Sequence, residues 1–216
     1  MTIPASLARN WRFALLLGAL PPAWAATAAT LDRSDAARGT IALSGEISSG
    51  DADRLAVLVE RMSDRGTPAS TVRLDSPVGS LSEAFGLASV IRRARLSAIV
   101  VGGATCASAC FMVLAAGAEK YVSYAAFVGL HGASDASGRE TIGSGAATVS
   151  MARTLKELGV PEAIIGKMVV TPPDAMVWLS VDDLRSMQAR VIERPLQAPR
   201  GGAAQPPPLQ LEPSGR

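Results

Sequence analysis

The residues with the clearest chemical potential are a serine and the single histidine of the chain. Ser108 lies in the segment TCASAC, residues 105–110, and His131 is the only histidine among the 216 residues. A serine hydrolase needs an imidazole to take the proton from its serine. The two residue types therefore suggest nucleophilic catalysis, with Ser108 as the nucleophile and His131 as the base.

Ser108 is predicted to lie at a strand-to-helix turn. It follows the apolar run 97–103, which is typical of a strand, and precedes the apolar run 111–115, which is typical of a helix. The first N–H groups of a helix have no partner within the helix, and the helix dipole makes that end attractive to negative charge. The N–H groups of Gly79, where the backbone can approach a ligand closely, and of Ala109 are candidates to hold a developing oxyanion.

The third member of a Ser-His-acid triad is left open by the residues alone. Asp174 is favoured, and Asp135, Asp182 and Asp183 are its rivals. Lys120 offers a different arrangement, a Ser/Lys dyad, but such a lysine must be buried beside the serine to lose its proton. Serine and aspartate are also common helix caps, so the nucleophile and the acid each have a structural alternative.

The two cysteines of the chain flank the serine and leave two alternatives open. Cys106 and Cys110 are four residues apart, so on a regular helix their Cα atoms would be about 6 Å apart, near the upper limit for a disulfide. An oxidising compartment would permit the bridge. The other alternative is two small buried thiols that pack beside the serine turn.

Both ends of the chain are predicted to lie outside the folded domain. The start combines arginines without acids, a short apolar core and the small-residue pattern Ala23-Trp24-Ala25, which indicates a secretory signal peptide cut after Ala25. The end is rich in Pro, Gly and Gln and has too little apolar surface to order itself. The predicted organisation is a signal peptide (1–25), a short linker (26–37), one domain (38–194) and a disordered tail (195–216).

The net positive charge of the chain comes from its predicted leader. Removal of residues 1–25 takes away two arginines and no acids, so the formal charge falls from +2 to 0. We therefore expect no nucleic-acid surface. A cleaved leader implies a periplasmic or secreted protein, and membrane association is expected only if the leader stays uncleaved.

Apolar runs alternate with helical patterns along the rest of the chain. This order predicts an α/β protein with a mainly parallel sheet and helices packed around it. The predicted strands are 40–45, 70–74, 96–101, 120–124 and 126–130, and the predicted helices are 51–62, 81–92, a segment after Ser108, 146–158, 161–169 and 181–187. Sites in such sheets form where strands end, and the Pro77 loop, Ser108 and His131 each follow a predicted strand.

Three segments resemble the successive site motifs of one known family. They are LDSPVGS (74–80), CASAC (106–110) and GLH (129–131). They resemble the proteolytic subunit of the Clp protease, within the larger crotonase-like superfamily, and in particular its exported bacterial relatives with the same CASAC segment. The resemblance covers about residues 38–192 and implies a ClpP/crotonase-like fold.

The resemblance also implies a function and a set of site residues. It makes Ser108 the nucleophile, His131 the base, and Gly79 and Ala109 the oxyanion donors of a serine peptidase. The family's acid precedes an aromatic-Leu-Ser segment and a helix; the match of residues 178–180 to that segment favours Asp174.

The expected partners are a peptide or protein substrate and further copies of the chain, with no cofactor and no metal. Two other classes remain as alternatives. One is a non-catalytic relative that binds peptides or serves in assembly. The other is a crotonase-type acyl-CoA enzyme, which export disfavours because CoA thioesters are cytoplasmic.

Overall fold

A computed structural model describes residues 28–35, 39–135 and 137–192 of the chain. The predicted signal peptide (1–25) and the predicted tail (195–216) lie outside these residues. Within the described part of the chain, strands and helices alternate. The strands are β1 (Thr30–Asp35), β2 (Thr40–Ser44), β3 (Thr71–Asp75), β4 (Ser97–Val100), β5 (Thr105–Ala107), β6 (Lys120–Ser123), β7 (Phe127–Leu130), β8 (Val177–Trp178) and β9 (Ala189–Ile192). The helices are α1 (Asp51–Asp64), α2 (Leu81–Ala94), α3 (Ala109–Ala115), α4 (Ile142–Glu157), α5 (Glu162–Val170) and α6 (Val181–Ser186).

The strands form two sheets. The larger has the order β1-β2-β3-β4-β6-β9 and is parallel except for β1, which runs antiparallel to β2. The smaller has the order β5-β7-β8, with β5 and β7 parallel and β8 antiparallel to β7. The predicted α/β architecture, a mainly parallel sheet with helices packed around it, is confirmed.

Helix α3 lies at the centre of the molecule. All seven of its residues are buried, and it contacts β3 and β4 of the larger sheet as well as β5 and β7 of the smaller one. A helix that is apolar on every side has no face to present to water, so it packs inside the core. The start of α3 therefore lies between the two sheets, where Ser108 precedes it.

Four strands were not predicted from the sequence: β1, β5, β8 and β9. Residues 30–35, predicted as part of a linker, form β1 and pair with β2 from Thr30 opposite Ser44 to Asp35 opposite Thr40. Leu31 packs against the core, so this segment buries apolar surface that a linker would leave in water. The strand directly before Ser108 is β5, because the run 97–103 leaves the sheet after Val100.

No helix in the described part of the chain is both long and apolar enough to cross a lipid bilayer.

Candidate active site

Ser108 and His131 follow the carboxyl ends of two adjacent parallel strands. Ala107 at the end of β5 is in register with Gly129 on β7, and the Ser108 N–H donates to the Gly129 carbonyl at 3.0 Å. His131 directly follows the last residue of β7. The pairing of β5 with β7 therefore brings the predicted nucleophile and the predicted base to the same edge of the smaller sheet.

The backbone of Ser108 has an unusual conformation. Its φ is 56° and its ψ is −120°, in a turn between β5 and α3. A residue with a side chain held there costs on the order of 1–3 kcal/mol and persists only where its surroundings enforce it. In α/β-hydrolases a sharp strand-to-helix turn of this kind exposes the nucleophilic serine. Ser108 makes no side-chain hydrogen bond to the helix that follows, so helix capping does not explain it.

His131 is held in a form suited to a base. Its Nδ1 lies 2.6 Å from the carbonyl oxygen of the next residue, Gly132. A carbonyl only accepts hydrogen bonds, so Nδ1 is the protonated nitrogen and Nε2 keeps its lone pair. Burial lowers the pKa of His131 below its usual value, and the Gly132 hydrogen bond opposes this only in part. The imidazole is therefore neutral at pH 7.

The serine and the histidine are close in the fold but not joined. Among the described residues, Ser108 Oγ and His131 Nε2 each lack a hydrogen-bond partner. Catalytic hydrogen bonds are often long or unformed without substrate and tighten when the complex forms. In this structure the two side chains are not hydrogen-bonded to each other.

The two predicted oxyanion donors follow the ends of β3 and β5, which are linked by the pairing of Ser76 with Cys106. Ser76, which precedes the Gly79 turn, pairs with Cys106: its N–H donates to Thr105 at 2.7 Å, and its carbonyl accepts from Ala107 at 3.0 Å. The N–H of Ala109 begins α3. Neither Gly79 N–H nor Ala109 N–H donates to another described residue. Both donors remain available for an anion.

Glycine is required at position 79 by a neighbouring backbone. Gly79 pairs with Ile47, and Ser80 N–H donates to the Ile47 carbonyl at 2.8 Å. A Cβ on residue 79 would lie 2.5 Å from the Ile47 Cβ and 2.7 Å from its carbonyl oxygen. These contacts are shorter than real atoms allow, so any side chain there must displace the turn.

The structure does not bring Asp174 to His131. The segment after α5 does reach the site, since Gly132 N–H donates to the Thr171 carbonyl at 2.8 Å. The Asp174 side chain itself is exposed and makes no hydrogen bond or ion pair with another described residue. The His131 Nδ1 that a triad acid would bind is occupied by the Gly132 carbonyl.

The three rival acids have partners elsewhere. Asp135 accepts from Ser137 and Arg139 in its own loop, and these hydrogen bonds lower its pKa. Asp182 pairs with Arg185 at 3.2 Å. The carboxylate of Asp183 binds Lys167 at 2.7 Å and also caps α6 through Ser180. Partial burial works to raise the pKa of Asp183, but these hydrogen bonds lower it.

Lys120 lies away from the serine. It begins β6, in register with Ala98 and Ala189, at the edge of the larger sheet where its parallel strands start. Ser108 follows the opposite ends, because β5 is joined to the segment after β3 through Ser76. Burial lowers the pKa of Lys120, but a Ser/Lys dyad would need this amine beside Ser108.

The two cysteines, left open by the sequence, are bonded to each other. Cys106 and Cys110 form a disulfide, with their Cα atoms 5.1 Å apart. The expected helical spacing does not apply, because Cys106 lies on β5 and only Cys110 lies on α3. The sharp turn at Ser108 shortens the distance, so the two-free-thiol alternative is wrong.

A cleft begins beside the histidine. It has a volume of about 360 Å³ and lies between the loop after β7, helix α4 and the segment after α5. Its lining includes Gly132, Ala133, Thr148, Val149, Val170 and Pro172. A groove of about 560 Å³ between α4 and α5 shares Val149 and Val170 with it. The surface next to His131 is thus shaped for apolar groups.

The hydrogen-bond partner of His131 was not predicted from the sequence. The Gly132 carbonyl orients His131, yet a backbone oxygen has no signature in the residue type. The only available signal was its position directly after the histidine.

The fold and the position of the site define a class, the α/β proteins of ClpP-like fold. Solved structures similar to this chain include ClpP1 from Listeria monocytogenes, with a TM-score of 0.56 and 17% identity over 74% of this chain and 94% of that chain. A point mutant of ClpP1 from Listeria monocytogenes gives a TM-score of 0.54 and 18% identity over the same shares. At such identities the likeness shows the fold alone. No protein-family model and no curated protein matches the chain.

Proposed function

We propose that the chain is a serine peptidase of the bacterial cell envelope, with Ser108 as nucleophile and His131 as general base. The observation that carries the proposal is the strained turn at Ser108, set beside the end of the strand that precedes the only histidine. The neutral imidazole and the two unpaired N–H groups support it. The ClpP-like fold of the solved structures supports the same reaction class.

The proposed chemistry follows from these groups. His131 Nε2 accepts the Ser108 proton while Oγ attacks the carbonyl carbon of a peptide bond. The N–H groups of Gly79 and Ala109 donate to the oxyanion that forms. The imidazolium then gives its proton to the leaving amine, and water hydrolyses the acyl-enzyme by the same route in reverse roles.

Asp174 is the proposed acid, and its role requires a movement. The segment 171–175 would have to shift so that the carboxylate replaces the Gly132 carbonyl at His131 Nδ1. Until then the Gly132 carbonyl holds the tautomer, but it supplies no negative charge to stabilise the imidazolium. We therefore assign Asp174 an auxiliary role.

The proposed compartment is the periplasm or the exterior, after cleavage behind Ala25. The Cys106–Cys110 disulfide supports this, because such bonds persist in oxidising compartments. The proposed partners are a peptide or protein substrate and further copies of the chain. Membrane association enters the proposal only for a chain with its leader uncleaved.

A second candidate is a non-catalytic ClpP-like protein that binds peptides or serves in assembly. The observation that favours it is the lack of a hydrogen bond between Ser108 and His131, together with the solvent-exposed Asp174. The two candidates differ in whether Ser108 is activated.

Labelling with a fluorophosphonate, and hydrolysis of unstructured peptides, separate the candidates. Ser108→Ala should abolish both, and His131→Ala should remove most of both because no other imidazole can replace it. Asp174→Asn should cost much less than the factor of about 10⁴ measured for this change in a well-studied triad. Ser134→Ala, an exposed serine in the loop after His131, is the matched control and should label like wild type. Hydrolysis that survives Ser108→Ala, or wild type that never labels, would favour the non-catalytic candidate.

A further inference from the structure

The Cys106–Cys110 disulfide spans the turn on which Ser108 lies. Cys106 is in the middle of β5, Cys110 is in the first turn of α3, and Ser108 is the central residue of the five that the bridge encloses. Both cysteines are completely buried. The bond therefore joins the two elements whose relative position sets the backbone of Ser108.

The two sides of this turn are held by different means. On the strand side, backbone hydrogen bonds join β5 to β7 and to Ser76. On the helix side, α3 has seven residues and no side-chain cap. Isolated helices of this length do not hold themselves together, so the start of α3 depends on packing and on covalent attachment. The disulfide supplies the covalent attachment.

The strained conformation of Ser108 makes this attachment matter. A serine with φ 56° returns to a more populated conformation unless both neighbouring elements are fixed. Such a return would move Oγ and also the Ala109 N–H, which is the proposed oxyanion donor next to it. The reactivity of Ser108 thus depends on the backbone geometry of residues 106–110, whose two ends the disulfide joins.

We infer that Cys106 and Cys110 are positioning residues: their disulfide holds the Ser108 turn in its reactive conformation and contributes more to catalysis than to the fold. This inference rests on the proposed peptidase function. Neither cysteine contacts substrate or acts as a nucleophile, since both sulfurs are bonded to each other. Because the bridge is buried, added thiols should reduce it only when the native state opens.

The test compares the oxidised protein with the Cys106→Ala/Cys110→Ala double variant. The double variant should keep its secondary structure and cooperative melting. Its labelling rate and its kcat should fall about tenfold or more, since the strained conformer loses one of its supports. KM should stay within about twofold, because the cleft beside His131 is lined by the loop after β7, by α4 and by the segment after α5, and not by the bridged segment. Amide hydrogen exchange should rise at residues 108–111 and stay unchanged in β7.

Two further samples separate positioning from general stability. Val113→Ala truncates a fully buried side chain of α3 but leaves the bridge intact; it should melt earlier and still label within about twofold of wild type. Wild type that is unfolded, reduced and refolded with reductant keeps its core volume; it should behave like the double variant and recover its labelling on reoxidation. If the double variant does not fold, the reduced and refolded wild type takes its place in the comparison with oxidised protein.

The outcomes distinguish the inference from the function on which it rests. Oxidised wild type that labels, with bridge-free protein that labels equally fast, overturns the inference alone. Equal losses of labelling in Val113→Ala and in the double variant also overturn it, because stability would then explain the effect. Oxidised wild type that never labels overturns the proposed peptidase, and the inference with it.

Discussion

His131 combines burial with a single hydrogen-bond partner, and both affect its protonation. Burial disfavours the charged form and lowers the pKa of the imidazole, while the Gly132 carbonyl works in the opposite direction. Among the described residues, no carboxylate binds the ring to favour the imidazolium. The imidazole is therefore neutral at pH 7, and it becomes protonated only in acid.

We expect the labelling rate of Ser108 to be flat at neutral pH and to fall in acid. Protonation of Nε2 removes the base, so the rate should decline through a midpoint below about pH 6.5, the usual pKa of histidine. Labelling rates between about pH 4.5 and 8 test this. A midpoint above 7 would contradict a buried, neutral His131.

The lowered pKa of His131 also makes the free energy of unfolding depend on pH. The unfolded chain binds a proton at His131 more readily than the folded one, so this residue's contribution is present above about pH 6.5 and is lost as the pH falls through the lower folded pKa. In His131→Gln, the part of the pH dependence of unfolding in that window should disappear.

The members of the candidate site could be selected from the sequence where residue type limits the possible chemistry. His131 could be selected because it is the only imidazole of the chain, and Ser108 because it lies in the CASAC segment at a predicted strand-to-helix turn. The Gly132 carbonyl could not, because every residue has one. The exposure of Asp174 depends on the path of the chain after α5, which sequence spacing does not determine.

At the level of elements, a clear apolar pattern decided which predictions succeeded. The helices α1, α2 and α4 and the strands β2, β3, β4, β6 and β7 were confirmed. Strand β1 has six residues and was still missed, because its sequence TLDRSD is mostly polar. The strands β5 and β8 have three and two residues and show no such pattern. The bridge was undecided for the same reason, because its geometry depends on β5.

The contact between the Gly79 turn and Ile47 predicts a severe effect of a single methyl group. Gly79→Ala should destabilise the protein by about 1–3 kcal/mol, the usual cost of overpacking, and should lower the labelling of Ser108 by displacing a proposed oxyanion donor. Thermal melts and labelling rates measure both effects.

Gly166→Ala is the control for this change. Apart from its chain neighbours and the nearby backbone of its own helix α5, no atom lies within 4 Å of the Cβ position at Gly166. Alanine should therefore stabilise the protein by about 0.4–1 kcal/mol and leave labelling unchanged. A Gly79→Ala protein with wild-type stability and labelling would show that the turn shifts without consequence.

On the scale of the whole molecule, one surface has an unusual composition. Helices α4 and α5 expose several large apolar side chains: Ile142 is 96% exposed, Val170 79%, Val149 58% and Val169 52%. Clustered exposed apolar groups commonly mark an interface. Val149, Val169 and Val170 also line the cleft beside His131, so the proposed association of further copies of the chain would cover part of that cleft.

We expect the protein to sediment as an oligomer, and Val169→Glu/Val170→Glu to shift it toward the monomer. Both valines are exposed, so the change should leave the melting temperature of the monomer nearly unaltered. Val57→Glu, on the exposed side of α1, is the control and should sediment like wild type. Monomeric wild type at all concentrations would contradict this interface.

The pairing of β1 with β2 bears on when the proposed leader is removed relative to folding. Ala28 is bridged to Glu46, and the Ala29 N–H donates to the Glu46 carbonyl at 2.7 Å. The proposed cut after Ala25 is therefore only three residues from a docked sheet edge. For the proposed cleavage, a cut site this close to the docked edge should be accessible only before β1 pairs with β2. We therefore expect β1 to dock after the proposed removal of the leader.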